Sequence, residues 1–317
     1  MLCALLAALA LGAVAADAAT EPVFFKVGSD PEAIAITPDG GRAYVVNRRG
    51  NTVWALDSAT GRPVARAIKV GDDPRSIAIT PDGARAYVVN SDSDTVSVIN
   101  TVTNKPAIKP IKVGEGPEGV AVTPDGTRAY VANEYFSTVS VIDTATNRLA
   151  GRPIKVGSFP TAIVISPDSR RAYVANEIDN TVTVIDTTTN RRIGRDIKVG
   201  FNPVAIAIDP DGARVYVANL LDGTVSVINT ATRKPAAKAI KVGAFPCSIA
   251  ITPDGTRAYV VNALSDSVSV ISTETNRHAQ MDIDVGFGPA AVAITPDGAR
   301  AFVANGLEDT VAVLELR

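Results

Sequence analysis

The sequence predicts an all-β protein, a seven-bladed β-propeller built from four-stranded blades. Three observations support this prediction. One unit recurs seven times at an interval of 43 residues, without insertion or deletion. Each unit contains four short β-rich segments and no helical period. The chain ends after the third segment of the last unit, whereas an extra fourth segment precedes the first unit. A period of about 40–50 residues made of strands is typical of propellers.

Residues that return at fixed positions mark every unit. Each unit has a Val-Gly pair, a Pro three residues later, and then a Pro-Asp pair, an Arg and an Asn. The glycines of the Val-Gly pairs are Gly28, Gly71, Gly114, Gly157, Gly200, Gly243 and Gly286. The asparagines are Asn47, Asn90, Asn133, Asn176, Asn219, Asn262 and Asn305. A residue required in every blade is typical of a structural part, so we expect each Asn to bond to the backbone of its loop.

The second unit illustrates how one blade is built. An apolar first strand, residues 76–80, is followed by the tight turn Pro81-Asp82-Gly83. Pro presets φ in such a turn, Asp bonds to the local backbone and Gly accepts a positive φ. Residues 85–90 form the second strand, residues 95–100 form a third strand rich in the β-branched residues that strands favour, and residues 107–113 form the fourth strand. Both faces of each sheet are apolar because neighbouring blades cover them.

Small and charged residues indicate the order of strands within a blade. The first strands carry small residues, which suits the crowded axis, and the fourth strands carry a charge that blocks pairing at an outer edge. These edge charges are Lys26, Lys69, Lys112, Lys155, Lys198, Lys241 and Asp284. The fourth strand missing from the last unit is present at the N-terminus, as residues 23–27. We expect residues 23–27 to complete the last blade and close the ring.

The first 19 residues are predicted to be a signal peptide. Residues 2–16 form one apolar run, with an A-x-A pattern at residues 13–15. These features favour export, with cleavage between about residue 15 and residue 19. Residues 20–317 then form a single propeller in the periplasm, at the cell surface or in the medium. No apolar run reaches the roughly 18–20 residues of a spanning helix, so we expect no membrane span in the mature chain.

Composition argues against several classes of function. The 317 residues are 46% hydrophobic and carry a net charge of −2, which disfavours both disorder and nucleic-acid binding. After removal of the signal peptide, Cys247 is the only thiol, and the single histidine, His278, falls on the opposite face of the propeller. No Cys-His or Ser-His pair is then available for nucleophilic catalysis. We therefore predict no disulfide, no metal site and no cofactor.

The units resemble the YVTN family of β-propeller repeats. The resemblance is carried by the Tyr-Val-x-Asn strands at residues 87–90, 130–133, 173–176 and 259–262, and by the Thr-Pro-Asp-Gly turns. It covers residues 21–317 and departs from the family pattern locally, at Ser169 and Phe302. The resemblance implies a propeller and an exported or surface-associated protein. It implies no particular reaction, so function has to be sought on the surface of the propeller.

Strand direction divides the loops between two faces. The turn face carries the Pro-Asp-Gly turns and the turns after the third strands, and the loop face carries the Val-Gly-x-x-Pro loops and the loops after each repeated Asn. The turn face is nearly identical in all blades, so we expect its Arg residues to pair with the turn Asp residues or with neighbouring carbonyls. The loop face varies between blades, as a binding surface on a uniform scaffold does.

The candidate binding residues all belong to the loop face. Acidic residues mark the first three units, and aromatic residues mark the third to the seventh. The candidates are Asp30, Glu32, Asp73, Arg75, Glu118, Tyr135, Phe136, Phe159, Phe201, Phe245 and Phe287. Two alternatives stay open for the phenylalanines. Their rings can be exposed to a partner, or they can fold down as plugs between blades.

The residue after each loop Pro is expected at the mouth of the central channel. Glu32, Arg75 and Glu118 occupy this position in the first three blades, and Cys247 occupies it in the sixth. The charged residues can form a pocket or a weak metal site, or Arg75 can neutralise both carboxylates. Neutralisation is favoured, because two carboxylates fall short of the about 6–8 oxygen ligands of Ca²⁺. We interpret Cys247 as a small apolar residue.

These observations favour an exported, non-catalytic scaffold that binds a protein or a cell-surface polymer through its loop face. One alternative is an enzyme of the lactonase, hydrolase or lyase kind, acting at the channel mouth. Another is an accessory propeller of a periplasmic redox system. The aromatic residues could stack on single-stranded nucleic acid, but the acidic part of the same face opposes this.

Overall fold

The computed structural model describes residues 21–316, and the predicted signal peptide lies outside them. The described chain forms seven antiparallel sheets. The first strand of each sheet contacts the first strand of the next sheet, and the first strand of the last sheet contacts that of the first sheet. The sheets therefore form a closed ring, the predicted seven-bladed β-propeller. Within residues 21–316, no helix is long and apolar enough to cross a membrane.

Each blade has three strands of six residues and a shorter outer strand. The innermost strands are Pro31–Ile36, Pro74–Ile79, Pro117–Val122, Pro160–Ile165, Pro203–Ile208, Pro246–Ile251 and Pro289–Ile294. The second strands are Arg42–Asn47, Arg85–Asn90, Arg128–Asn133, Arg171–Asn176, Arg214–Asn219, Arg257–Asn262 and Arg300–Asn305. The third strands are Thr52–Asp57, Thr95–Asn100, Thr138–Asp143, Thr181–Asp186, Thr224–Asn229, Ser267–Ser272 and Thr310–Glu315.

The outer strand is interrupted in most blades. In blades 2 to 6 two short segments pair with the third strand, so the predicted continuous fourth strand is divided. They are Lys105–Pro106 and Ile111–Lys112, Arg148–Leu149 and Ile154–Lys155, Arg191–Arg192 and Ile197–Lys198, Lys234–Pro235 and Ile240–Lys241, and Arg277–His278 and Ile283–Asp284. Blade 1 has Ile68–Lys69. The predicted edge charges, including Lys69 and Asp284, are exposed on these strands.

The ring closes as the sequence predicts. Val23–Lys26 pairs antiparallel with the third strand of blade 7, with Val23 opposite Val313 and Lys26 opposite Thr310. Val27 is buried in the apolar cluster between blades 7 and 1. Each of the seven gaps between blades holds one such cluster, so the core is divided among the gaps. Joining the two chain ends in one blade fixes all seven gaps together.

The repeated Asn has the structural role that the sequence predicts. In blade 2 the fully buried Asn90 donates from Nδ2 to Ser97 Oγ at 3.0 Å and accepts the Gly71 N–H at 3.1 Å. A Cβ on Gly71 would lie 2.7 Å from Asn90 Cγ, which is too close for any other residue. In blades 2, 3 and 5 the Gly N–H and the Asn Oδ1 thus hold the start of the loop together, whereas the Asn Oδ1 of blades 1, 4, 6 and 7 makes no bond among the described contacts.

Candidate binding site on the loop face

A β-bulge places the residue after each loop Pro at the channel mouth. In blade 1, Pro31 pairs with Asn47 and Ala33 pairs with Val46, so Glu32 is the extra residue. The other six innermost strands have the same irregularity. A bulge redirects the side chain of its extra residue. The predicted mouth residues therefore come together for a backbone reason that is the same in every blade.

The mouth opens into a cavity of about 840 Å³ with two unlike walls. All charged side chains of the lining come from blades 1 to 4, whereas blades 5 to 7 supply almost only apolar ones. The first wall includes Glu32, Arg75, Glu118, Glu134, Thr161 and Glu177. The second wall includes Val204, Leu220, Cys247, Ala290 and Leu307. The cavity can accept an elongated group that is cationic on one side and apolar on the other.

Arg75 lies between the two mouth carboxylates, as expected. Its guanidinium is 4.0 Å from Glu32 Oε1 and 3.8 Å from Glu118 Oε1, and Nε lies 2.8 Å from Asp73 Oδ2. Arg48 Nε contacts the other oxygen of Asp73 at 2.7 Å. The shortest contacts of Arg75 are thus made to Asp73, which leaves longer and weaker contacts to both glutamates.

The glutamates therefore bind protons more readily than an ordinary glutamate does. Burial raises the pKa of Glu118 to about 7, with Arg75 opposing this shift and Glu134 adding to it. Burial also raises the pKa of Glu32 and of Glu134 above their ordinary values. For Asp73, burial acts in the same direction, but hydrogen bonds from Arg48 and Arg75 outweigh it and lower the pKa. Neutralisation by Arg75 was therefore too simple an expectation, because one guanidinium is shared among several carboxylates.

Sequence reasoning missed Glu134 and Glu177, which line the cavity directly after the repeated Asn of blades 3 and 4. Asn202 Nδ2 donates to Glu177 Oε1 at 2.7 Å. The signal was present in the sequence, because the position after each Asn varies between blades as much as the position after each Pro. The mouth is formed by both positions, and only one of them was considered.

The aromatic candidates are mostly exposed. Tyr135, Phe201 and Phe287 are each 62% exposed, and Phe136 is 56% exposed. Phe245 is 37% exposed, so its ring is about half-covered. Phe159 packs edge-on against Tyr135, with the ring centroids 6.1 Å apart. The plug alternative is therefore wrong for the exposed rings, which point into solvent above blades 3 to 7.

Four aliphatic residues that were not predicted extend this surface. Ile178, Leu221, Leu264 and Leu307 stand two residues after the repeated Asn, and each is more than half exposed. Blades 1 and 2 carry Arg49 and Asp92 at this position instead. We call the combined surface the apolar crescent. It consists of Tyr135, Phe136, Phe159, Ile178, Phe201, Leu221, Phe245, Leu264, Phe287 and Leu307.

Two phenylalanines of the crescent have a strained backbone. Phe159 and Phe245 adopt φ values of 55° and 57°, in the left-handed region. The same position holds Asp30, Asp73, Gly116, Asn202 and Gly288 in the other blades, all with positive φ. Asp, Asn and Gly tolerate this conformation, whereas a bulky residue there is an outlier. Strain of this kind is characteristic of functional positions.

The two other residues with reactive side chains, Cys247 and His278, lie apart from each other. Cys247 is partly buried in the cavity wall, its Sγ lies 3.4 Å from the carbonyl oxygens of Pro289 and Ala290, and burial raises its pKa to about 12. His278 lies on an outer strand and contacts Asp282 at 2.8 Å. Within residues 21–316, no group of three or more His, Cys, Asp or Glu residues is arranged to hold a metal ion.

Comparison with known proteins agrees with the architecture. The family model described as "Lactonase, 7-bladed beta-propeller" matches residues 13–112, 100–229 and 150–317. The chain belongs to this seven-bladed propeller family. Among solved structures, a chain of hydrazine synthase from Kuenenia stuttgartiensis is 25% identical with a TM-score of 0.83, over 90% of this chain and 96% of that chain. No curated protein matches the sequence.

Proposed function

We propose that this member of the propeller family is an exported, non-catalytic scaffold of the YVTN type that binds a protein partner through the loop face. Export is supported by the apolar run at residues 2–16. Binding is supported chiefly by the apolar crescent, which places large exposed apolar side chains on the loops of every blade from 3 to 7. Many large apolar side chains exposed on one face of a protein commonly mark an interaction site.

The crescent has the properties of an interface centre. Aromatic side chains dominate the binding energy of protein interfaces. In blades 3 to 7 the repeated Asn at the start of the loop donates from Nδ2 to a hydroxyl of the third strand, which ties the loop to the scaffold. Little ordering of the scaffold is needed on binding, which limits the entropic cost of association. A surface polymer with apolar groups would meet the same residues, but the breadth of the crescent suits a folded partner or a peptide segment.

A pull-down with matched variants tests this proposal. The crescent variant carries Phe201→Ser, Leu221→Ser and Phe287→Ser, at residues that are 61–62% exposed. The control variant carries Val102→Ser, Leu149→Ser and Met281→Ser, which are exposed apolar residues away from the loop face. We expect the wild type and the control to capture the same protein from native envelope and secreted fractions, and the crescent variant to capture none at an unchanged melting temperature. Equal capture by all three would refute the proposal.

A second candidate function is hydrolysis at the channel mouth, and two observations favour it. The family carries the name lactonase, and the pKa of Glu118 is raised to about 7 beside Arg75. A carboxylate with such a pKa suits a general base at neutral pH, and a guanidinium can stabilise a developing oxyanion. A panel of neutral lactones with the wild type and Glu118→Gln tests this, since an enzyme would show turnover that the variant loses. The redox-accessory alternative is supported by the similarity to the hydrazine synthase chain alone.

A further inference from the structure

The loop face is far more acidic than the chain as a whole. Its loops hold thirteen Asp or Glu residues against two Arg residues, and the channel mouth adds Glu32, Glu118 and Arg75. The complete chain carries a net charge of only −2. The compensating positive charge therefore lies elsewhere, on the outer strands and the turn face. A surface with this imbalance attracts cations and repels anions over about the Debye length of 8–10 Å.

The glutamates of the cavity and the apolar crescent occupy different parts of the face, although acidic residues such as Asp179, Asp222 and Glu308 also stand in the loops of the crescent. At the centre, four glutamates line a cavity of about 840 Å³ that contains the single guanidinium of Arg75. Arg75 already contacts Asp73 at 2.8 Å, so it does not balance the glutamates. Around this centre, blades 3 to 7 present the apolar crescent. The face thus combines an acidic hub with an apolar rim that extends around most of the ring.

We infer that the loop face binds a basic amphipathic segment of another protein, whose Lys or Arg side chains enter the acidic hub while its apolar side chains pack on the crescent. This inference rests on the proposed function and specifies the chemistry of the partner. Long basic side chains suit the hub, because an aliphatic stem can lie on the wall formed by Val204 and Leu220 while the charged head reaches Glu134 and Glu177.

The same electrostatics exclude other occupants. An anionic polymer, such as a nucleic acid or an acidic polysaccharide, meets like charge over the whole face. A second copy of this chain that docks loop face to loop face brings two acidic surfaces together, which opposes a symmetric dimer through this surface. A basic protein segment satisfies both parts of the face at once, since its charge and its apolar side chains each have a complement.

Two synthetic peptides of matched length and spacing test the inference. One combines Leu with Lys in an amphipathic pattern, and the other replaces every Lys with Glu. We expect the full chain to bind the Lys peptide at least about tenfold more tightly than the Glu peptide by fluorescence anisotropy, with affinity falling as salt is raised. Equal binding of both peptides, or tighter binding of the Glu peptide, overturns the inference.

Variants separate the acidic hub from the apolar rim. The double variant Glu134→Gln with Glu177→Gln should bind the Lys peptide about tenfold more weakly. The salt dependence of that binding should also be smaller, because the hub loses two negative charges. The matched control, Glu274→Gln with Glu315→Gln, removes two exposed carboxylates at the turn-face ends of blades 6 and 7 and should leave affinity unchanged. Equal losses in both variants would mean that only net charge matters, and the hub would have no specific role.

The outcomes also distinguish this inference from the proposed function. If the crescent variant loses a native partner whose binding segment is neutral or acidic, the scaffold proposal stands and the charge inference fails. If the crescent variant keeps the native partner, the scaffold proposal itself fails. A single-stranded oligonucleotide serves as the anionic arm, and binding as tight as that of the Lys peptide contradicts the inference.

Discussion

The turn face and the loop face are built from the same seven repeats but use their side chains in opposite ways. On the turn face, Arg Nη1 groups bridge to the next blade, as from Arg42 to the Thr101 carbonyl oxygen at 2.6 Å. Tyrosine hydroxyls do the same, as from Tyr130 to Asn190 Oδ1 at 2.7 Å. The same bridges recur in most blades. These side chains satisfy buried groups and stabilise the ring.

The loop face uses equivalent backbone positions for side chains that do not help folding. Burial raises the pKa of Glu118 to about 7, which means that folding disfavours its charged form. Phe245 occupies a left-handed backbone position at φ 57°. Leu307 leaves 77% of its surface exposed. The comparison teaches that uniformity between blades marks stability and variation marks function, and the following changes test that division.

The largest effect is expected at Glu118, as a change in the pH dependence of stability. Its pKa of about 7 in the folded chain lies above the ordinary value of 4.5, so the folded state holds the proton more strongly. The wild type should therefore lose stability as pH rises from about 4.5 through 7, by up to about 2–3 kcal/mol. Glu118→Gln should remove this loss and be the more stable protein at pH 8.

Urea unfolding across this pH range measures the effect. Glu115→Gln is the matched control, since Glu115 is exposed on the same face and in the same blade as Glu118. The control should follow the wild-type curve. If Glu118→Gln unfolds with the wild-type pH dependence, the glutamate is not the source of a stability cost on the loop face.

The fold could be predicted because the sequence repeats its own constraints. Seven copies of the 43-residue unit predict seven blades. The unmatched strand at residues 23–27 predicts how the last blade is completed and the ring closed. The mouth positions of Glu32, Arg75 and Glu118 also followed from periodicity. Each of these depends on backbone pairing, which the repeat fixes without reference to the side chains.

The candidate site was only partly predictable, because it depends on how side chains share space. Whether Phe201 was exposed or buried could not be decided from its position in a loop. The sharing of Arg75 among Asp73, Glu32 and Glu118 depends on distances of 2.8–4.0 Å that no spacing encodes. Glu134 was missed for a different reason, since its variable position was visible in the sequence. A comparison of every varying loop position would have found it.

An intermediate effect is expected from Tyr130→Phe on the turn face. The Tyr130 hydroxyl is buried and bonds to Asn190 Oδ1 at 2.7 Å in the next blade. Its removal leaves the half-buried Asn190 Oδ1 with only the long contact from Arg128 Nη1 at 3.5 Å, which should cost about 0.5–1.5 kcal/mol in thermal or urea unfolding. The chain contains a natural parallel, because Phe302 replaces the last tyrosine and Gly61 stands where blades 2, 3, 4 and 6 place the acceptor Asn.

Tyr173→Phe is the control for this prediction. Its counterpart of Asn190 is Arg233, whose Nη1 donates instead to the Ile193 carbonyl oxygen at 2.8 Å. The Tyr173 ring is as buried as that of Tyr130, but among the described contacts its hydroxyl makes no matching bond. We expect a change below about 0.5 kcal/mol. Equal losses at the two positions would show that ring packing, and not the bridge between blades, stabilises the turn face.

The smallest change in stability, and the sharpest test of the division, is expected from Phe245→Asn. Asn occupies the same left-handed position in blade 5, as Asn202 with φ 60°. Relief of strain, worth about 1–2 kcal/mol, should offset the lost contacts of the half-covered ring, so stability should stay within about 1 kcal/mol of the wild type. Loss of a ring that acts as a plug between blades would instead cost about 3–5 kcal/mol.

Phe287→Asn is the control, because Phe287 is exposed and its φ is not positive. Both variants should bind the Lys peptide more weakly than the wild type does. Only the change at Phe245 should also relieve backbone strain. Retained binding by Phe245→Asn would leave its strained backbone without a functional reason and would remove this residue from the crescent.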